Sequence, residues 1–228
     1  AANTLLSIEE TYGDISPVRL DDNKVSSFIS IMRGCDNLCA YCVVPYTRGR
    51  ERSREPKTII REAGEIYESG YREVTLLGQN VNSYRWSESQ NDIDFSFHNL
   101  LAAVAEAYPD LRLRFSTSHP KDISDDLLKT IARFPNICKS IHLPVQSGST
   151  TVLSRMKRRY SREQYLERID AIKKYIPEAS ISTDLIVGFC GETDEEHAET
   201  LSLMKEVGYD FAYMFKYSER PGTLAERK

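Results

Sequence analysis

"SFISIMRGCDNLCAYC", residues 27–42, runs a short apolar strand pattern straight into three cysteines, Cys35, Cys39 and Cys42. Only two more cysteines, Cys138 and Cys190, occur in the whole chain. The rest of the sequence repeats the strand half of this layout. Apolar runs recur at "EVTLL" (73–77), "LRLRFS" (111–116), "KSIHL" (139–143), "SISTDLIVG" (180–188) and "DFAYMFKY" (210–217). Helical spacing fills the gaps. Ile59, Ala63 and Ile66 share a face ahead of Gly70; Phe97, Leu100, Leu101 and Val104 form the next stripe, then Leu127, Leu128, Ile131 and Phe134. Ser161 with Gln164 reads as a capping box before Tyr165, Ile169, Ile172 and Ile176. Ala198, Leu201, Met204 and Val207 close the series.

Strand and helix alternating at roughly 30 to 45 residues predict parallel βαβ units with right-handed crossovers. Six units are too few to close an eight-stranded barrel. The expected fold is therefore α/β, a partial, laterally open (β/α)6 TIM-like barrel, with a doubly wound open sheet as the alternative. In both, ligands gather at the carboxyl ends of the strands. The cysteine cluster leaves the first strand at that edge.

Composition narrows the setting. At 228 residues, 40% hydrophobic and 28% charged, the chain is long enough for one large domain or two small ones, with a buried core. No apolar run approaches a membrane span, and the first residues lack a signal-peptide layout. A reducing, cytoplasmic location is the expectation, and there clustered thiols bind metal more often than they form disulfides. Net charge is only −4, yet basic residues are concentrated in two places. Arg48, Arg50, Arg52 and Arg54 alternate beside the cysteines; Arg155, Lys157, Arg158, Arg159 and Arg162 form the second group. A local basic patch suits phosphate whatever the net charge.

Structural zinc takes four protein ligands, and the spacing C-x3-C-x2-C supplies three with no histidine nearby. Three thiolates instead suit three irons of a 4Fe–4S cluster, leaving one iron open for a substrate or cofactor. A zinc-bound nucleic-acid-binding module is the rival reading. Cys138 and Cys190 are scattered and read as ordinary buried thiols.

The triad, with Tyr41 just before its last cysteine, resembles the signature of radical S-adenosylmethionine (SAM) enzymes. "MRGCDNLCAYCVVPYTRGRERSREP" (32–56), "LLGQNVNSYR" (76–85), "STSHPKDISDDLL" (116–128), "IHLPVQSGS" (141–149), "MKRRYSREQY" (156–165), "TDLIVGFCGET" (183–193) and "FKYSERPGT" (215–223) extend the likeness. Together they resemble the radical SAM methylthiotransferases, most of all the tRNA-acting MiaB type. The resemblance implies a 4Fe–4S cluster held by Cys35, Cys39 and Cys42, which also makes them the catalytic set. It implies SAM split into methionine and a 5′-deoxyadenosyl radical. The implied substrate is N6-isopentenyladenosine beside the anticodon of tRNA, converted to its 2-methylthio derivative, with electrons from a donor such as flavodoxin or ferredoxin. A radical SAM enzyme with a protein or small-molecule substrate is the alternative within the fold.

Strand ends should hold SAM. Tyr41, Gln79, Asn80, Ser116, Ser118, Gln146 and Asp184 are the candidate contacts, with Arg155 reaching the SAM carboxylate bidentately. Gln79 and Asn80 stand where many radical SAM enzymes carry an acidic residue. His119 and His142 are expected as hydrogen-bonded residues of the barrel mouth. Arg48, Arg50, Arg52 and Arg54, alternating along an extended segment, are expected on one side, contacting RNA phosphates; Tyr46 and Trp86 are candidates for stacking on an unstacked base. Residues 1–26 read as a lead-in from an N-terminal domain and 27–228 as the radical SAM core. The family's auxiliary cluster and C-terminal TRAM domain are expected only in a longer protein, so this chain is expected to cleave SAM without completing methylthiolation.

Overall fold

The computed structural model describes residues 24–87 and 95–227. Nearly all of the expected lead-in, and the centre of the polar loop after residue 86, lie outside the described residues.

Six parallel strands follow the chain: β1 (Ser26–Ser30), β2 (Glu73–Leu77), β3 (Arg112–Ser116), β4 (Ser140–His142), β5 (Ser180–Val187) and β6 (Phe211–Lys216). β1, β2 and β3 form one parallel ladder; β4, β5 and β6 form another. A single bridge, Leu113 to Ile137, joins the two through hydrogen bonds from Leu113 N–H to Asn136 O (2.8 Å) and from Cys138 N–H to Leu113 O (2.9 Å). The order is thus sequential, and no ladder connects β6 back to β1 among the described residues. The barrel is partial and open at the side.

Each strand has two unlike faces. Ile29, Val74, Leu76, Leu113, Phe115, Ile141, Ile181 and Leu185 are buried and belong to one continuous core with the helices. Ser30, Glu73, Thr75, Arg114, His142, Ser182 and Asp184, on the other face, are exposed or half-buried. A closed parallel barrel buries both faces of its strands. Here only the helix face is sealed, and the lumen stays accessible.

The helices are α1 (Val44–Arg48), α2 (Pro56–Glu68), α3 (Phe97–Ala107), α4 (Asp125–Arg133), α5 (Thr150–Arg155), α6 (Arg162–Tyr175) and α7 (Asp194–Val207). The Ser161–Gln164 capping box forms as expected at the start of α6. Two expectations change. "SFISIM" is not one strand: β1 stops at Ser30, and Met32–Arg33 turns to pair antiparallel with Arg52–Ser53. This pairing lays the arginine segment beside the cysteine loop. In α7 the buried residues are Thr200, Leu203 and Val207, while Leu201 is 47% exposed and Ala198 faces solvent. The reason is a polar contact that hydrophobic spacing does not register. Thr200 Oγ1 accepts from Gly148 N–H (2.9 Å) and lies 3.2 Å from Ser147 Oγ. Gly148 permits it, since a Cβ there would sit 2.5 Å from Thr200 Cα.

Candidate functional site

The cysteine loop is pinned from three directions. Cys35 N–H donates to Gly49 O (3.2 Å), Ala40 N–H to Met156 O (2.9 Å), and Ala225 N–H to Ala40 O (2.9 Å). Gly34 makes the first contact possible. Its φ is +74°, and a Cβ would fall 2.0 Å from Arg50 O. No L-residue with a side chain fits there without moving the arginine segment.

Cys35, Cys39 and Cys42 surround one cavity of about 170 Å³ at the carboxyl ends of the strands. Tyr41, Gln79, Asn80, Ser118, Gln146 and Asp184 line the same cavity, as do His119 and Arg158. Six of the eight predicted SAM contacts therefore come together from five separate chain segments. Tyr41, Gln146 and Asp184 also line an adjoining cavity of about 310 Å³ beneath β6.

The backbone shows how these side chains are aimed. Gln146 is buried with φ +72°, a region that costs a non-glycine residue on the order of 1 kcal/mol or more. Its backbone is fixed by Gln146 N–H to Asp184 O (2.8 Å) and Ile186 N–H to Gln146 O (2.9 Å). Lys157 (φ 58°) and Arg159 (φ 61°) flank Arg158 in the same way. Two left-handed residues in three turn the chain so that the residue between them points inward.

Arg158 is the functional candidate that sequence reasoning missed. Its guanidinium is buried, donates to Pro144 O (2.8 Å) and Tyr160 Oη (2.9 Å), and lies 3.5 Å from Cys39 Sγ and 3.5 Å from Tyr41 Oη. No carboxylate pairs with it among the described residues. Burial works against its charge, but the facing Tyr160, Tyr41 and Cys39 groups outweigh that and hold its pKa above the ordinary arginine value. Arg155, the predicted partner of the SAM carboxylate, is placed elsewhere. It grips Glu196 bidentately (2.9 and 2.6 Å) on the outside of the fold and does not line the cavity. Two residues, Met156 and Lys157, separate the two arginines, and only the backbone turn decides which faces inward. Ser116 likewise stops short of the cavity wall, which Thr117 and Ser118 form.

The donor set suits a thiolate-held cluster. Burial raises the thiol pKa of Cys35, and that of Cys42, where the backbone bond to Val44 and the Arg158 charge act in the opposite sense. Metal binding at such a site displaces protons. No three His, Cys, Asp or Glu side chains among the described residues are arranged to hold a single metal ion. Cluster ligation instead gives each sulfur its own iron. The buried amide oxygens of Gln79 and Asn80 lack a protein partner, which leaves acceptors in the cavity wall. Asn80 Nδ2 donates to Asp122 (2.7 Å).

Both histidines are hydrogen-bonded, as expected. His119 Nδ1 accepts from Lys121 N–H (3.3 Å), and burial, reinforced by the Arg158, Lys121 and Arg159 charges, lowers its pKa to about 2. His142 lies between Ser182 Oγ (3.0 Å from Nδ1) and Asp184 (3.5 Å from Nε2).

The arginine segment is not one basic row. Arg48 ends α1 and is exposed, as is Arg50; Arg52 is half-buried and donates to Arg48 O (3.5 Å). Arg54 is buried against Glu62 (2.5 Å), Thr58 and Ser30 O, and it cannot reach RNA without unfolding that corner. The expected alternation fails because the segment is part helix and part strand, so spacing alone does not put the four on one side. Tyr46 is exposed; Trp86 packs against the core.

This fold and site define a radical SAM enzyme, and the chain belongs to that superfamily: the family profile matches residues 29–204. Over its full length the chain is 60% identical to the tRNA-2-methylthio-N(6)-dimethylallyladenosine synthase of Amoebophilus asiaticus and 57% identical to that of Phocaeicola vulgatus. It spans 49% of each of those proteins, about half their length. Among solved structures it superposes on the radical SAM methyltransferase TsrM from Kitasatospora setae with TM-score 0.70 and 17% identity, over 87% of this chain and 38% of that one. For the coproporphyrinogen III oxidase HemN of Escherichia coli the values are 0.58 and 16%, over 89% and 46%. These distant likenesses establish the partial barrel. As a radical SAM chain, its cofactors are a 4Fe–4S cluster and SAM. No helix among the described residues is long and apolar enough to cross a membrane.

Proposed function

We propose that this chain is the catalytic core of a tRNA methylthiotransferase, acting on N6-isopentenyladenosine beside the anticodon. The observation that carries the reading is the convergence of three thiols, Tyr41, Gln146, Asp184 and a buried, carboxylate-free arginine on one cavity at the strand ends. Cys35, Cys39 and Cys42 hold the 4Fe–4S cluster. That cluster, when bound, supplies the electron that splits the SAM sulfonium. Gln79 and Asn80 offer amide oxygens to the SAM amino group, and Arg158 offers a guanidinium to its carboxylate. Asp184 and Gln146, shared by the two adjoining cavities, take the ribose side. Tyr41 and the strand ends narrow the mouth and exclude water from the radical. The substrate assignment rests on the likeness to the methylthio-adenosine synthases along the full chain. Arg48, Arg50 and Arg52 contact the tRNA backbone beside the mouth, and Tyr46 remains the exposed aromatic at that rim.

The test is anaerobic reconstitution followed by iron and sulfide analysis, then incubation with dithionite, SAM and isopentenylated tRNA. Cys35→Ala, Cys39→Ala and Cys42→Ala should each abolish the cluster chromophore and 5′-deoxyadenosine formation, while Cys138→Ala and Cys190→Ala keep both. A cluster retained in Cys39→Ala but lost in Cys190→Ala would overturn the ligand assignment. Cleavage of SAM with no binding of tRNA would leave the radical SAM core and remove the RNA substrate.

A further inference from the structure

β6 and the residue just past it carry an aromatic ring at every second position: Phe211, Tyr213, Phe215 and Tyr217. A period of two puts all four on one face of the strand. Three observations identify that face as the lumen. Tyr213 pairs in register with Asp184 and meets the His142 ring edge-on at 6.2 Å. Phe215 and Tyr217 line the 310 Å³ cavity with Tyr41, Gln146 and Asp184. Ala212, from the alternate set, packs on the helix-side core. Phe211, Tyr213 and Phe215 are 55%, 51% and 53% exposed, and the first two rings stack edge-to-face at 4.6 Å. Single exposed rings are ordinary on a protein surface; a contiguous ladder of them leading into a cofactor cavity marks a binding face.

We propose that this ladder is a stacking platform for one unstacked purine base of the RNA substrate, delivered along the lumen to the cofactor cavity; the proposal rests on the RNA-modifying reading above. The facing lumen positions decide between a base and an apolar protein segment. They include Arg114, His142, Ser182 and Asp184, all capable of hydrogen bonds, beside the apolar Phe28 and Ile186. An apolar segment laid on the rings would take these groups out of water while offering them no hydrogen bonds of its own, which is costly. A planar heterocycle has apolar faces and a polar edge, so one ligand satisfies both walls. Its entry is the gap between β1 and β6, where no ladder among the described residues closes the barrel. Alternate residues step about 7 Å along a strand. A base resting at Tyr213 therefore lies one step below Phe215, with its edge level with Asp184.

The experiment compares two RNA stem-loops of the anticodon arm, one with N6-isopentenyladenosine and one with an abasic residue in its place, titrated against the cluster-loaded protein by fluorescence anisotropy. The wild type should prefer the base by about tenfold, within the range that aromatic stacking gives per base. Phe211→Ala and Tyr213→Ala should each remove most of that preference. Tyr213→Phe, which keeps the ring, and Met214→Ala, on the opposite face, should retain it. The ladder is overturned if Tyr213→Ala discriminates like the wild type, if Met214→Ala loses as much, or if the wild type binds both RNAs equally. It also falls if the ladder variants change only self-association in sedimentation, which would make this face a protein interface. Failure of the wild type to bind either RNA would remove the tRNA reading itself, and the ladder proposal with it.

Discussion

Two basic segments, 48–54 and 155–159, each send one arginine inside. Arg54 and Arg158 are buried almost equally, at 8% and 5% exposure, yet their company is opposite. Arg54 meets Glu62 and completes its hydrogen bonds with Thr58 and Ser30 O, outside the lining of the cluster cavity. Arg158 meets a carbonyl, two phenols and a thiol at the mouth of the cluster cavity. A buried charge with its counter-ion in place is part of the architecture. One held only by a carbonyl, phenols and a thiol has no carboxylate to neutralise it and can still receive an anion. The difference separates a structural arginine from a binding arginine more sharply than burial, charge or neighbouring sequence does.

The largest effect should come from breaking the paired one. Arg54→Met removes the buried ion-pair partner of the Glu62 carboxylate, and removal of one partner from a buried pair costs about 3–5 kcal/mol. Denaturant unfolding of the cluster-free protein should show this loss directly. If Arg54→Met unfolds like the wild type, Arg54 is not architectural, and its place among the RNA contacts is restored.

Arg158→Met should behave in the reverse manner. Without a carboxylate to orphan, the cluster-free protein should keep or gain stability. SAM affinity of the loaded protein should fall by about 30- to 150-fold, as for loss of a charge-assisted hydrogen bond of 2–3 kcal/mol. Equilibrium dialysis with SAM measures the second quantity, and thermal melting the first. Large destabilisation with unchanged SAM affinity would place Arg158 in Arg54's class.

His119 reads the Arg158 charge from the other side. With its native pKa lowered to about 2, it stays neutral in the fold and protonates near 6.5 when unfolded. The unfolded state therefore binds the extra proton between those values. Its contribution is fully present above about pH 6.5 and is lost as the pH falls. From pH 7 to pH 5 the loss is about 2 kcal/mol. His119→Gln should flatten that part of the stability–pH profile. An identical profile in the variant would show that His119 is protonated in the native state.

Much of the fold was legible because it is written in local periods. β2 ends where the run "EVTLL" ends, and the α6 cap is a four-residue pattern. The triad announced the cluster, and six of the residues picked by strand-end position, Tyr41, Gln79, Asn80, Ser118, Gln146 and Asp184, line one cavity. What failed depends on non-local contacts. The buried face of α7 is chosen by Thr200 against Gly148, 52 residues apart. Arg54 turns inward because Glu62 waits one helix turn and a half into α2. The choice of Arg155 over Arg158 missed the left-handed residues at 157 and 159, which no propensity argument assigns to Lys and Arg. The one legible clue was the run "KRR" itself, where three consecutive basic residues cannot all share one exposed face of a tight turn.

Arg155 supplies the smallest effect and the control for the rest. Its bidentate grip on Glu196 is geometrically good, and it lowers the Glu196 pKa. Glu196 also accepts from Thr193 N–H (3.0 Å), so the pair fastens the first turn of α7 to the end of α5. Arg155 is 28% exposed, however, and pairs open to solvent contribute about 0.3–1 kcal/mol. Because the carboxylate pKa is depressed, this contribution is present above about pH 4.5 and fades as the pH falls through the native value. Arg155→Met should therefore lower thermal stability slightly at pH 7, less at pH 4, and leave SAM affinity unchanged. The same substitution at two positions three residues apart would then have opposite signatures, one in melting and one in ligand binding. If Arg155→Met instead weakens SAM binding more than Arg158→Met does, the inward turn at 157–159 is wrong, and the two arginines exchange roles.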